Sequence, residues 1–165
     1  ADGTFPSTTK TLLNDGNLTI VNLGKEDHGV YECVASNVVT SVITTALLII
    51  ELTTPHAPYN LSVSTTQYTA KVSWLPAYDG GYPQHYVLWY KRKSDGHSAR
   101  NEWQTLRVVP DEATSITVYE LLPNFNYEFT VLSRNRLGDG LFSKIVTART
   151  KGVFSKWHSY DARDE

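Results

Sequence analysis

Short runs of β-branched and aromatic residues recur along the chain, and apolar and polar positions alternate within many of them. A period of two is typical of strands that bury one face, whereas an amphipathic helix repeats about every 3.6 residues. Clusters of Gly, Pro, Asn and Asp separate the runs at the spacing of a β-sandwich. The pattern predicts an all-β protein.

Three strands are predicted in the first half of the chain. They are Asn17–Leu23, Gly29–Asn37 and Val39–Glu51. A break follows where Pro55 and Pro58 lack the backbone N–H that strand pairing needs. We therefore expect a first unit over residues 1–52 and a linker over residues 53–58.

The second half contains seven predicted strands. They are Tyr59–Ser64, Thr69–Trp74, His85–Lys93, Trp103–Val108, Ser115–Tyr119, Asn126–Asn135 and Lys144–Thr150. Turn residues connect them, and we expect Gly138-Asp139-Gly140 to form the last connector. Residues 59–150 have the size of one sandwich of roughly 100 residues. The segment 151–165 has no strand pattern, so we expect a tail or linker there.

Composition narrows the class of protein. The net charge of −2 argues against nucleic acid as a partner, because phosphate binding needs a basic surface. The most apolar stretch, Val38 to Ile50, is shorter than the roughly 20 residues that cross a bilayer as a helix. The chain has no Met and no secretion signal at its start. We expect an internal segment of a longer protein.

One motif in the first unit is specific. The run Asp27-His28-Gly29-Val30-Tyr31-Glu32-Cys33 resembles the Asp-x-Gly-x-Tyr-x-Cys signature of the immunoglobulin fold. The resemblance implies that the Tyr31 hydroxyl bonds back to the preceding turn as a tyrosine corner, and that Cys33 belongs to a disulfide. Cys33 is the only cysteine, so its partner is expected outside the chain. The resemblance implies an immunoglobulin-like sandwich that is truncated and not stable by itself.

The second unit resembles a complete seven-stranded fibronectin type III domain throughout. The resemblance is carried by Trp74 on the second strand and by the motif Leu121-x-Pro123-x-x-x-Tyr127. It implies that Tyr127 is a second, structural tyrosine corner. Two alternating sets are expected to close two sheets over one core, and these are Ala70, Val72 and Trp74, and Tyr127, Phe129 and Val131.

Two loop sequences resemble a narrower family. Tyr78-Asp79-Gly80-Gly81-Tyr82 and Asn135-Arg136-Leu137-Gly138 are similar to the turtle family of neuronal adhesion proteins, in which immunoglobulin domains precede type III domains. The resemblance implies the extracellular part of a single-pass plasma-membrane receptor in axons, dendrites or synapses. It implies a protein partner on an apposed cell, with a second copy of the same protein as one candidate. It implies a protein that is not an enzyme and that needs no cofactor.

Two alternatives stay open beside that interpretation. Intracellular muscle proteins also string immunoglobulin and type III domains together, and the ectodomains of receptor kinases and phosphatases use such domains as spacers. The sequons Asn17-Leu18-Thr19 and Asn60-Leu61-Ser62 are acceptor patterns for N-linked glycans. They favour the extracellular interpretation.

Several residues are candidates for binding. Alternation on the third strand of the second unit places Trp89 on the side away from the core. In that position it is either an interface anchor or a residue covered by a neighbouring arginine. Lys91, Arg92 and Lys93 form a basic stripe for heparan sulfate or acidic partners, or a charged edge that resists strand pairing, and we favour the charged edge. His28 and Cys33 face opposite sides of a strand, so no nucleophile–base pair is expected. The five histidines lack metal-ligand spacing, so no metal is expected.

Overall fold

The computed structural model divides the chain into two compact units, Ala1–Thr53 and Thr54–Glu165. The structure describes residues 11–14, 16–93 and 102–152. The expected tail therefore lies outside the described residues beyond position 152. The division falls within the expected linker, but Pro55 and Pro58 are fully buried in the second unit. These prolines belong to the second sandwich and not to a free connector.

Two hairpins make up the described part of the first unit. Strand β1 (Thr11–Asn14) pairs with β2 (Asn17–Ile20), and after a 3₁₀ turn at Lys25–Asp27, β3 (Gly29–Ser36) pairs with β4 (Ser41–Leu48). Strand β4 is shorter than expected at both ends, and its later start is explained by Asn37, which closes the preceding turn. Its Oδ1 atom accepts the backbone N–H groups of Val39 and Thr40 at 2.8 and 2.9 Å. Asx-turns of this kind compete with strand pairing.

The turn before β3 has the geometry that the immunoglobulin motif implies. The hydroxyl of Tyr31 donates to the carbonyl oxygen of Asp27 at 2.8 Å. The carboxylate of Asp27 in turn accepts the N–H of Gly24 at 2.7 Å. The tyrosine therefore ties β3 to the 3₁₀ turn that precedes it.

The β3–β4 hairpin exposes its apolar side chains. Val30 lies opposite Leu47, and Val34 lies opposite Ile43. All four side chains are more than half exposed, and Cys33 on the other face is exposed as well. None of residues 16–53 is buried. A sheet normally buries one face against a second layer, and the described part of this unit supplies none.

The described part of the second unit contains eight strands in two sheets. The strands are β5 (Tyr59–Thr65), β6 (Ala70–Leu75), β7 (His85–Arg92), β8 (Gln104–Arg107), β9 (Ser115–Val118), β10 (Asn126–Asn135), β11 (Gly138–Phe142) and β12 (Val146–Arg149). One sheet has three strands in the order β5-β6-β9. The other has five, in the order β11-β10-β7-β8 with β12 also paired to β10. The unit is an antiparallel sandwich.

Its core lies between the sheets and uses the expected alternating sets. Trp74 from the three-stranded sheet packs edge to face against Tyr86 of the other sheet, with ring centroids 5.4 Å apart. Phe129 and Val131 are fully buried. The remaining buried members of this core are Ala70, Val72, Leu88, Val108, Val118, Leu121 and Tyr127.

The last strand differs from the prediction. The residues expected as a connector, Gly138-Asp139-Gly140, begin strand β11. A short segment without strand structure then separates β11 from β12. A Cβ atom at Gly140 would collide with the carbonyl oxygen of Pro55. Gly140 therefore marks a close approach of two backbones inside a sheet and not a turn.

Tyr127 fixes the turn before β10. The N–H of Leu122 donates to the Tyr127 hydroxyl at 2.9 Å, and the hydroxyl of Thr150 donates to the carbonyl oxygen of Leu122 at 2.6 Å. Tyr127 itself is buried. The loop before β10 is thus tied to the second residue of β10 and to Thr150, the residue that follows β12.

The second unit is expected to fold alone. A fragment of residues 54–152 keeps both sheets, the core and the hydrogen bond from Gln67 Nε2 to the carbonyl oxygen of Gly152. It should unfold in one cooperative thermal transition, with a midpoint within a few degrees of that of the whole chain. Circular dichroism during heating measures this. Loss of the transition in the fragment would show that the first unit contributes to this core.

The Tyr127→Phe variant is expected to lose about 1 kcal/mol of unfolding free energy, because the N–H of Leu122 loses its acceptor. Chemical denaturation of residues 54–152 measures the loss. Tyr119→Phe is the matched control, since the side chain of Tyr119 is 68% exposed. Equal stability of both variants would contradict a structural role for the Tyr127 hydroxyl.

The thiol of Cys33 is expected to react with a disulfide reagent in native buffer as fast as a thiol in an unstructured peptide, because Cys33 is exposed and no layer of the described unit covers it. Spectrophotometric thiol titration of the whole chain measures the rate. A rate that rises only on addition of denaturant would contradict the open hairpin.

Candidate recognition surface

The five-stranded sheet has a solvent-facing surface that strand alternation builds. On β7, Tyr86 and Leu88 are buried in the core, so Val87 and Trp89 lie on the opposite side. Successive rows across this surface follow from the strand register, which places His85 beside Arg134, Val87 beside Leu132, Trp89 beside Thr130 and Lys91 beside Glu128. We call the surface formed by Val87, Trp89, Lys91, Glu128, Thr130, Leu132 and Phe142 the Trp89 face.

An aromatic pair forms the centre of the Trp89 face. The rings of Trp89 and Phe142 meet edge to face, with centroids 5.5 Å apart and planes at 89°. Thr130 and Leu132 are 4% exposed although they lie on the outer side of the sheet. Phe142 remains 49% exposed. The pair is therefore an apolar cluster that solvent still reaches.

The indole nitrogen of Trp89 is buried and has no hydrogen-bond partner among the described atoms. Trp89 consequently offers its ring, and not its N–H group, at this surface. Sequence alternation had placed Trp89 outside the core, and the structure places it there as one half of a pair. Its partner Phe142 was missed because the alternation pattern predicts no strand at β11.

Ion pairs surround the aromatic cluster. Lys91 Nζ lies 3.2 Å from Glu128 Oε2 and 4.8 Å from the centroid of the Trp103 ring. Arg107 donates to the carboxylate of Asp111 at 3.0 Å. Each of these cations has an acidic partner, so the rim carries both signs of charge in balance.

A further ion pair lies at the β10–β11 end of the rim. Arg134 donates to Asp139 through two nitrogens, and the Nη2–Oδ2 distance is 2.9 Å. This hydrogen bond is the main reason why the pKa of the Asp139 carboxyl lies below its usual value. Asp139 therefore stays ionised at neutral pH.

The basic run of residues 91–93 does not lie along one line. Lys91 and Lys93 lie 3.2 and 4.0 Å from the two carboxylate oxygens of Glu128. Arg92, which alternates to the other side, stacks over the Phe125 ring at 5.0 Å. The three charges are thus divided between two environments, and each contacts a carboxylate or an aromatic ring.

Two loops meet at one end of the second unit. The guanidinium of Arg136 lies 3.8 Å from the centroid of the Tyr82 ring and donates to its hydroxyl at 2.8 Å. The amide of Asn135 donates to the carbonyl oxygen of Asp79 at 2.9 Å. The residues of both contacts lie in the two loop sequences that resemble the turtle family. Only the fold reveals that they contact each other, because more than fifty positions separate them in sequence.

The remaining candidate residues are not part of the Trp89 face. Asn17 and Asn60 are both exposed, and Asn60 lies on β5 in the three-stranded sheet. Tyr31 and Cys33 lie on β3 of the first unit. Cys33 pairs with Thr44 in the strand register, and the ring nitrogen Nδ1 of His28 accepts the N–H of Ile50 at 3.3 Å. The structure therefore does not bring His28 and Cys33 together.

A cleft of about 550 Å³ opens beside the Trp89 face. Its lining includes Tyr127 and Leu121 from the turn before β10, two carboxylates (Glu102 and Glu120) and two cations (Lys91 and Arg92). Within the described part of the chain, no group of three or more His, Cys, Asp or Glu side chains is placed to hold a metal ion. No helix in the described ranges has the length and apolar character to cross a bilayer.

The comparison with known families matches the second unit. A family model of the fibronectin type III domain matches residues 56–149. Among solved structures, the third fibronectin III domain of human KIAA0343 protein has a TM-score of 0.54 at 23% identity, covering 62% of this chain and 88% of that one. Domains A168–A170 of titin have a TM-score of 0.50 at 25% identity, covering 81% of this chain and 45% of that structure. The fold of the second unit is confirmed.

Relatives match across both units. Protein turtle of Drosophila melanogaster is 43% identical over 140 residues, which are 84% of this chain and 9% of that protein. Protein turtle homolog B of Mus musculus is 44% identical over 146 residues, which are 88% of this chain and 11% of that protein. Protein borderless of Drosophila melanogaster is 40% identical over 151 residues, which are 92% of this chain and 20% of that protein.

The chain thus spans about a fifth or less of the length of these relatives. Each alignment is longer than the whole second unit, Thr54–Glu165, so it extends into the first unit. The resemblance to the turtle family, which the two loop sequences indicated, is confirmed over most of the chain. The chain belongs to the turtle family of immunoglobulin-superfamily proteins, and residues 56–149 form its fibronectin type III domain.

Proposed function

We propose that this chain is an extracellular segment of a neuronal cell-surface receptor, and that it binds a protein on an apposed cell through the Trp89 face. Membership of the turtle family supports a cell-surface protein of the immunoglobulin superfamily. Binding and not catalysis is the proposed activity, because the candidate residues form a surface and not a constellation of reacting groups.

The observation that carries the proposal is the edge-to-face pair of Trp89, which is half-buried, and Phe142, which is exposed. Protein interfaces concentrate binding energy in a few aromatic and arginine residues near the centre, which a polar rim surrounds. The Trp89 face has this arrangement, with an apolar centre and ion pairs from Lys91 and Arg107 at its edge. The other sheet of the same domain has no comparable aromatic pair among its described residues.

The charges of the rim favour a protein partner over a polyanion. A heparan sulfate chain is held by cations that are free to neutralise its sulfates, whereas Lys91 and Lys93 both lie near Glu128. A balanced rim also allows a second copy of the same face to dock on it, since cations of one copy can face anions of the other. A second copy of the protein is therefore the partner that we propose first.

The likeness to titin motivates a second candidate function. Domains A168–A170 of titin cover most of this chain in the comparison, and a module in an intracellular filament protein would need no sequons. Surface biotinylation of intact neurons that express the full-length protein distinguishes the two functions. Labelling of the native protein supports the receptor, and its absence from the surface supports the filament module.

The Phe142→Glu variant of the full-length receptor is expected to abolish aggregation of cells that express it, because a carboxylate replaces the apolar centre of the Trp89 face. Cells that otherwise do not adhere are mixed, and clusters are counted by microscopy. The matched control is Tyr68→Glu, since Tyr68 is 50% exposed on the turn between β5 and β6 of the other sheet.

Three outcomes separate the parts of this proposal. Loss of clusters with Phe142→Glu and not with Tyr68→Glu supports the Trp89 face and a second copy as partner. If wild-type cells never cluster with each other but do cluster with neurons in a Phe142-dependent manner, the partner is a different protein. Equal behaviour of the two variants at equal surface levels would overturn the Trp89 face. Thermal unfolding of residues 54–152 with each change checks that both variants fold.

A further inference from the structure

We propose that Asn60 is an N-glycosylation site whose glycan covers the outer face of the three-stranded sheet. The inference rests on the extracellular location in the proposed function. In the reaction, the Asn60 amide nitrogen bonds to the anomeric carbon of a lipid-linked oligosaccharide diphosphate. The bond from that carbon to the diphosphate oxygen breaks, the lipid diphosphate leaves with its electron pair, and one amide proton is released.

The backbone presents Asn60 to solvent. Asn60 has a φ of 52°, in the left-handed region that asparagine tolerates better than most residues. The register between β5 and β6 shifts between Tyr59 and Ser62, which inserts an extra residue on the outer strand. Strand β5 is the edge of its sheet. Within the described part of the chain, the side-chain amide of Asn60 makes no hydrogen bond and is exposed.

The three positions of the sequon divide between core and solvent. Leu61 is partly buried and packs against the hydrophobic core. Asn60 and Ser62 are both exposed. The leucine thus anchors the segment, while the acceptor amide and the hydroxyl that the sequon requires both remain accessible.

The residues around Asn60 have the polar composition expected of a surface that a glycan covers. Strand register aligns Ser62 with Ser73 and Ser115, and the next row aligns Ser64 with Lys71 and Thr117. Five of these six side chains are hydroxyls and one is charged. These two rows have hydrogen-bonding groups for sugars and contain no aromatic side chain. Their hydroxyl-rich composition contrasts with the aromatic centre of the Trp89 face.

One apolar spot on this face lies beside the acceptor. Tyr59 and Leu75 are opposite each other in the strand register and are 52% and 46% exposed. Exposed apolar pairs gain from cover that removes water. The first sugars of a glycan on the neighbouring Asn60 are positioned to supply that cover.

The acceptor is tested with the whole chain directed into the secretory pathway of mammalian cells by a cleavable signal peptide. Enzymatic removal of N-glycans converts a modified asparagine to aspartate, which mass spectrometry locates. We expect conversion at Asn60, and loss of the corresponding mobility shift in Asn60→Gln and in Ser62→Ala. Ser64→Ala, on the same face and outside the sequon, should keep the shift. An unmodified Asn60 would overturn the proposal, whether or not Asn17 carries a glycan.

Translation with microsomes gives the same readout if a variant is not exported. Cover is tested separately by the rate at which a bulky amine reagent labels Lys71, which should rise several-fold when the glycan is removed. Lys144, exposed outside this sheet, should be labelled at the same rate before and after. An unchanged Lys71 rate would overturn the covering role. Because the signal peptide forces export, failure here leaves the proposed function standing, whereas absence of the native receptor from neurons overturns that function alone.

Discussion

The packing of Trp74 and Phe129 from opposite sheets over one core fixes which side of each strand in the second unit faces solvent. Once Tyr86 and Leu88 fill that core, alternation leaves Val87 and Trp89 no place except the outer surface. A shift of one residue on β7 would bury Trp89 and expose Leu88. The position of the candidate recognition surface is therefore a consequence of core packing.

The first unit shows the same alternation without that constraint. Val30 and Val34 share one face of β3, and Cys33 lies on the other, yet all three are exposed. Alternation predicts two faces, but only a second layer decides which face is buried. Residues 1–52 therefore have the strand signature of a sandwich, while their described part has no core.

Sequence patterns predicted the structural features that depend on residues close together in the chain. Strand β10 has the predicted bounds because Tyr127, Phe129 and Val131 alternate without interruption. The pattern failed at Gly138-Asp139-Gly140, since glycine is favoured both in turns and where another backbone approaches, and only the position of Pro55 decides between them. The contact of Arg136 with Tyr82 and the pairing of Trp89 with Phe142 were equally beyond reach, because the fold brings distant positions together.

The two outer faces of the sandwich can differ in composition because packing of the core between the sheets does not set them. The core requires apolar side chains on the inner side of both sheets, so selection for stability alone leaves the outer composition open. An aromatic pair costs solubility unless it binds something, and a row of serines contributes little to strand propensity. Stability therefore accounts for neither Trp89 with Phe142 on one face nor Ser62, Ser73 and Ser115 on the other. The contacts that we propose, with a protein on the first face and with carbohydrate on the second, would account for both.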